Sequence, residues 1–309
     1  MIKEDGFEEL IESAYRHMES ELGLEHVKPS LRSEFQTLQK AHDAIHEFMI
    51  LAPLLIALPA GREPAFEEKS AFLTYHWEAF HHTHRSLNEA LCAYYNVAFV
   101  LLRVTFELLL KGAFWECLSH KKFCNNSQVL DVDKAGKKIK RWLEAIFQQA
   151  PDVEEASERV SAGIHDKVGL KLEDQNFRPS VKTIVRQLDG WGIFRPIPNA
   201  EVWVYSDLYG KLSADVHVTP ERIDIGKRLV HNSSDLFEHV LLPDALCEYA
   251  GLLHRTMDLA IVVELNIMED LIGQYEEPKL NLRTRLNMLE QLELEYSFKR
   301  AHELLGSVV

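Results

Sequence analysis

The segment LYGKLSADVHVTP, Leu208 to Pro220, sets Ser213 and His217 four residues apart, with Tyr209 four residues before Ser213. On a helix that spacing lines a phenol, a hydroxyl and an imidazole along one face. An imidazole titrates near neutral pH and passes a proton either way, so the stripe has the parts for general acid–base chemistry. Upstream, Arg103 and Glu107 repeat the four-residue spacing inside LCAYYNVAFVLLRVTFELLLKGAFWECL, a stretch apolar on nearly every side. A charged pair there must be satisfied by its own members and by neighbouring helices, because an isolated buried charge costs several kcal/mol. Brought together, these five side chains suit work on a phosphodiester, with His217 as proton carrier, Arg103 holding phosphate and Glu107 orienting one of them. They also read as a buried hydrogen-bond network that fixes helix register. Thr219 and Pro220 have the form of an N-cap and first helical residue, so His217 falls at or near a helix C-terminus, where the dipole favours its charged form.

LLRVTFELLLKG (Leu101 to Gly112) and LYGKLSADVHVTP together resemble an uncharacterised prokaryotic all-helical family, in which a central Arg-x-x-x-Glu helix precedes a Leu-Ser-x-x-x-His segment. The resemblance covers roughly residues 70–264. That family is distantly similar to the HEPN superfamily of helical nucleotide-binding and RNase domains. The resemblance implies an HEPN-like core with extra N- and C-terminal helices, a homodimer, and a role in prokaryotic defence or toxin–antitoxin systems through RNA or nucleotide binding. Its catalytic form would be metal-independent RNA cleavage, with no cofactor. HEPN RNases share an Arg-x(4–6)-His motif, which Arg159 and His165 match in ERVSAGIHDKVG, although Val160 stands where a polar residue is usual. Arg103 and His217 do not fit that spacing. A degenerate member that only binds a nucleotide or a protein partner is the alternative.

A second constellation is HWEAFHHTHRS, which carries His76, His81, His82 and His84. Glu78 and His81 form the Glu-x-x-His unit that, doubled, holds two irons inside helical bundles; no second copy occurs. No metal is expected by default, and His76, Glu78 and His81 are the fallback set. His42 and His46 in HDAIHE are an i, i+4 pair that could chelate one ion if the helices met. The plainer reading is a wet, histidine-rich helix face. A third feature is basic: between Lys121 and Arg141 seven Lys or Arg stand against Asp131 and Asp133, and Lys137, Lys138, Lys140 and Arg141 are candidate phosphate contacts or simply a solvated face. The segment RPSVKTIVRQLDGWGIFRPI either mimics the helix and wing of a winged-helix reader, using Arg178, Lys182, Arg186 and Arg195, or is a connector packed by Ile184, Leu188, Trp191 and Phe194.

The elements that must position these groups are helices. Apolar residues recur at three and four spacing over 7–22, 31–58, 66–118, 134–149, 181–188, 236–271 and 280–305. Alternation suited to a strand is confined to residues 196–205, PIPNAEVWVY, where a short extended piece is expected. The pattern predicts an all-α bundle of about nine helices. Residues 1–66 form N-terminal helices on the core, 67–272 the central bundle, and 273–309 a C-terminal helix that caps the bundle or pairs with a second copy through Leu282, Leu286, Leu289, Leu292 and Tyr296.

Composition bounds the rest. The chain has 309 residues, 46% of them hydrophobic, with a formal net charge of −14. That charge argues against whole-surface attraction to nucleic acid or anionic lipid, so any such binding must be local. Four scattered cysteines without a CxxC pair fit buried thiols in a reducing cytoplasm. The acidic, amphipathic N-terminal stretch is no secretory signal, and the apolar runs fall short of the roughly 20 residues a membrane span needs. A cytoplasmic protein without membrane contact is expected. Glycine-rich phosphate loops, a nucleophile elbow and HExxH are absent from the sequence, so dinucleotide, P-loop, serine-hydrolase and zincin chemistry have no support.

Overall fold

Helix α1 (Phe35–Ile56) buries Leu38, Ala41, Ile45, Phe48, Ala52 and Leu55, a three-and-four spacing that turns one continuous apolar stripe inward. It belongs to a computed structural model that describes residues 35–56, 70–119, 180–216 and 242–306, with Ser13 and Arg16 as isolated helical positions. Among the described residues there are nine α-helices and one π-helix and no strand. The buried apolar side chains from Leu38 to Leu305 form one cluster. No helix among the described residues is long and apolar enough to cross a membrane.

Helices α2 (Ala71–Leu91) and α3 (Tyr95–Ser119) form an antiparallel hairpin. Ser70 caps α2 by accepting from Leu73 N at 3.1 Å, and the buried carboxylate of Glu116 on α3 accepts from Ser70 Oγ (2.9 Å) and Phe72 N (3.1 Å). Further along, Thr83 Oγ1 donates to Thr105 Oγ1 and Ser86 Oγ to Ala98 O. The hairpin turns at Ala93, which adopts φ +62° without a glycine. Gly112 sets how closely the two helices approach. A Cβ at that position would lie 2.7 Å from Tyr75 Cβ, an atom that no rotamer change moves, with Phe72 Cα in ordinary contact at 3.5 Å. Gly112→Ala is therefore expected to destabilise by about 1–3 kcal/mol despite alanine's better helix propensity, which a shifted urea midpoint would register.

Helix α4 (Val181–Gly190) is capped by Ser180, and Ile184, Leu188, Trp191 and Phe194 are all buried, as a packed connector requires. Of the cations that a wing would use there, Arg186 is paired with Glu201 and Arg195 Nε donates to Gly192 O. Residues 196–205 correct the expectation of an extended piece: turns lead into a π-helix, Val202–Tyr209, continued by α5 (Gly210–Val216). Val204, Leu208 and Leu212 are buried at four-residue spacing while Val202 is 62% exposed, so tertiary burial follows a helical period and overrides the β-propensity of VWVY.

Helix α6 (Pro243–Ile267) is the second central element, buried on nearly every side from Thr256 to Met268 and packed on α1, α3 and α9 (Glu295–Leu304). The expected helix over 236–271 is thus shorter and is followed by a separate turn of helix, α7 (Glu269–Gln274). The expected helix over 280–305 is two, α8 (Glu276–Gln291) and α9, divided where Glu293 takes φ +57°. Leu282, Leu289, Leu292 and Leu294 are buried within the chain's own core. Helix α9 has no cap of its own; Asp258 on α6 caps it, accepting from Tyr296 N (3.1 Å), Ser297 N (2.8 Å) and Ser297 Oγ (2.6 Å). Helix α8 is tied back to α1: Glu47 and Arg285 form a two-pronged ion pair, and Asn281 Nδ2 donates to Leu54 O at 2.8 Å. Past the end of α8, Glu293 pairs with Lys40. The thiols are not uniformly buried as expected: Cys117 is, Cys92 is half-buried and Cys247 is exposed, while Cys124 lies outside the described residues.

Candidate functional site

The sequence pattern places Arg103 and Glu107 on one face of α3, and the structure pairs them, Nε donating to Oε1 at 3.1 Å. The π-helix brings Tyr209 onto the same spot. Arg103 Nη2 donates to Tyr209 Oη at 3.0 Å, and the phenol donates at 3.5 Å to Glu107 Oε1. Lys111, one turn further along α3, donates to Glu107 Oε2 at 3.2 Å. Three of the five residues expected to cluster are thus in contact. Ser213 sits one turn beyond Tyr209 with its Oγ buried and without a hydrogen-bond partner among the described residues. His217, the expected proton carrier, lies outside the described residues, as do Arg159, His165, Lys137, Lys138, Lys140 and Arg141.

Aromatic rings line the cluster. Tyr209 stacks on Phe106 (centroids 5.5 Å, 25°) and on Tyr205 (5.6 Å, 23°). The Arg103 guanidinium lies 5.2 Å from the Tyr209 ring centre, and Lys182 Nζ lies 5.7 Å from that of Tyr205, both within cation–π reach. Along this line Arg103 and Lys111 share the carboxylate of Glu107 and Lys182 adds a third cation over Tyr205, so the strip is locally positive in an acidic protein. Asp207, on the same π-helix, does not reverse that sign. Partial burial works against its charge, yet hydrogen bonds from Arg255 (2.5 Å) and Lys211 (3.0 Å) hold its carboxyl below the usual carboxylate range. Arg103 keeps Nη1 without a partner among the described residues.

The histidine run divides among different surroundings. His76 points into the core, where its Nδ1 lies 2.9 Å from Glu264 Oε1. His82 pairs with Glu78 at 3.2 Å, and His81 is exposed against Phe80. The fallback set His76, Glu78 and His81 therefore does not converge, since on a helix residues two, three and five apart cannot all face one point. His84 instead lies against His42 and His46 of α1.

A buried charged group was not anticipated. Glu47 is 1% exposed and Glu264 fully buried. Burial pushes the Glu264 carboxyl well above its ordinary range, with the charge of Glu47 adding to it. Burial also lowers the His76 imidazole to about 4, against a backbone hydrogen bond at Met49 that pulls it upward. At 2.9 Å the two groups are close enough to pair, but burial disfavours the charged form of both. Acids embedded in the apolar runs HEFMILA and LAIVVELNI are the signal that marks such positions.

No protein-family model, curated protein or solved structure matches the chain. Its fold and site define it only as an all-α helical-bundle protein with a half-buried cationic and aromatic strip.

Proposed function

We propose that the chain binds a phosphate-bearing ligand, RNA or a nucleotide, on the strip formed by α3, α4 and the π-helix. The observation that carries this reading is Arg103, fixed by Glu107 and Tyr209 beside stacked tyrosine rings, with its Nη1 without a partner among the described residues. Immobilised guanidinium favours phosphate through fixed fork geometry, and the half-buried Tyr205 and Tyr209 rings flank it. Rare π-helical turns recur at functional sites. The HEPN-like resemblance extends the reading to a defence or toxin–antitoxin role and, in its catalytic form, to metal-independent RNA cleavage with His217 or His165 as proton carrier.

Fluorescence polarisation with labelled single-stranded RNA and with ATP tests the binding. Arg103→Ala is expected to weaken it about 10- to 100-fold, the worth of a charged hydrogen bond. Lys182→Ala is expected to weaken it evenly across sequences and to flatten the salt dependence by about one contact. RNA cleavage in EDTA that is lost in His217→Ala or His165→Ala would assign the catalytic form. The competing reading, a non-catalytic interaction protein whose polar cluster fixes helix register, is favoured by the mutual satisfaction of Arg103, Glu107, Tyr209 and Lys111. It prevails if wild-type protein binds neither probe while Tyr209→Phe lowers the melting temperature.

A further inference from the structure

His42 and His46 stand one turn apart on α1, with their Nε2 atoms 3.1 Å from each other and ring centres 4.4 Å apart. Helix α2 brings His84 across from them, its ring centre 6.2 Å from that of His42 and 6.0 Å from that of His46. One ring nitrogen from each of the three can be chosen so that all lie within 4.8 Å of one another. Three imidazoles bound to one tetrahedral ion at about 2.0–2.1 Å hold their nitrogens roughly 3.3 Å apart. The α1 pair already has that separation, and a ring adjustment of His84 closes the remainder.

The 3.1 Å separation is that of a hydrogen bond between the two rings, and the same geometry presents both Nε2 atoms to a shared ion. Asp43 Oδ1 lies 3.2 Å from His42 Nδ1 and itself accepts from Gln39 Nε2 at 2.8 Å. A carboxylate there keeps the proton on Nδ1 and leaves the His42 Nε2 lone pair facing His46. This is the carboxylate–histidine pairing that orients metal-bound imidazoles. All three rings are half-buried, which leaves an ion a route from solvent, and Phe80 packs against His46 and His84 on the inner side.

We propose that His42, His46 and His84 bind one divalent transition-metal ion of the zinc and cobalt class through three imidazole nitrogens, with a fourth position left for water or an oxygen ligand. Three neutral ligands keep the ion's full charge at the site, the condition under which a bound water is acidified towards neutrality. The inference is independent of the phosphate-binding strip, which uses other helices.

Full-length protein stripped with chelator and titrated with Co2+ alone tests it. Expected are one equivalent bound, visible absorption bands of tetrahedral cobalt, and their bleaching by one equivalent of Zn2+. His84→Ala, at a half-exposed position, is expected to weaken Co2+ binding more than about 100-fold, beyond the 10- to 100-fold that loss of a supporting residue gives. Asp43→Asn is expected to fall within that smaller range, and His81→Ala and His82→Ala to leave binding unchanged. Absence of stoichiometric cobalt binding by the wild-type chain would overturn the proposal, as would equal losses in His82→Ala and His84→Ala. Because the wild-type spectrum is itself diagnostic, the test holds even if a variant folds poorly.

Discussion

Arg285→Ala is expected to cost about 3–5 kcal/mol of stability, the cost of leaving a buried carboxylate without its partner. Arg285 is one-quarter exposed, but its partner Glu47 is 1% exposed on the inner face of α1, and the guanidinium grips both of its oxygens. Truncating the arginine strands a buried carboxylate, and Glu264, whose own pKa the charge of Glu47 raises, offers no compensation. Replacing both partners, Glu47→Leu with Arg285→Leu, is expected to recover most of the loss, because an apolar pair needs no solvation. Urea unfolding reads both. A single-variant loss under about 1 kcal/mol would mean that water reaches Glu47.

The second large effect is on the pH profile of stability. An unfolded histidine titrates near 6.5, and His76 in the fold does so at about 4, so its folded-state pKa is depressed. A depressed histidine contributes stability that is complete above about 6.5 and is lost as pH falls through about 4, worth on the order of 3 kcal/mol. Glu264 runs the other way. Its raised folded-state pKa gives stability present below the unfolded carboxylate value and lost as pH rises through the folded one. Stability is thus expected to fall on both flanks, with His76→Leu flattening the acid side and Glu264→Gln the alkaline side. An acid-side slope that survives in His76→Leu would remove His76 as its source.

Much of this architecture was legible as helical periodicity, because long amphipathic and all-apolar stretches have only one way to bury themselves in a bundle. What stayed hidden were the interruptions made without glycine or proline. Ala93 and Glu293 turn the chain through left-handed backbone conformations that nothing in their own sequence demands. Helix α9 carries no N-cap signal because its cap, Asp258, comes from another helix. At the strip, the four-residue spacing of Arg103 and Glu107 was readable, and Tyr209 was on the expected stripe. The π-helical path that delivers Tyr205 and Tyr209 to Arg103 was not, since VWVY has strand propensity and only tertiary burial overrules it. His42 and His46 announced themselves by their spacing. Which histidine of His76, His81, His82 and His84 would join them depends on how α2 rotates against α1, a packing fact with no local signature.

The ties between α1 and the last helices have a consequence for assembly. Glu47 and Arg285 are 238 residues apart, Leu54 and Asn281 are 227 apart, and Lys40 and Glu293 are 253 apart. Contacts this distant are reached only after a large loss of chain entropy. During synthesis, the apolar stripe of α1 emerges long before the helices that cover its far side. Until α6 and α8 arrive, α2 is the described helix on which α1 can lean, the contact across which His84 meets His42 and His46. The side of α1 facing the C-terminal helices closes last, so the chain's earliest described helix is also the one whose native surroundings are completed at the end.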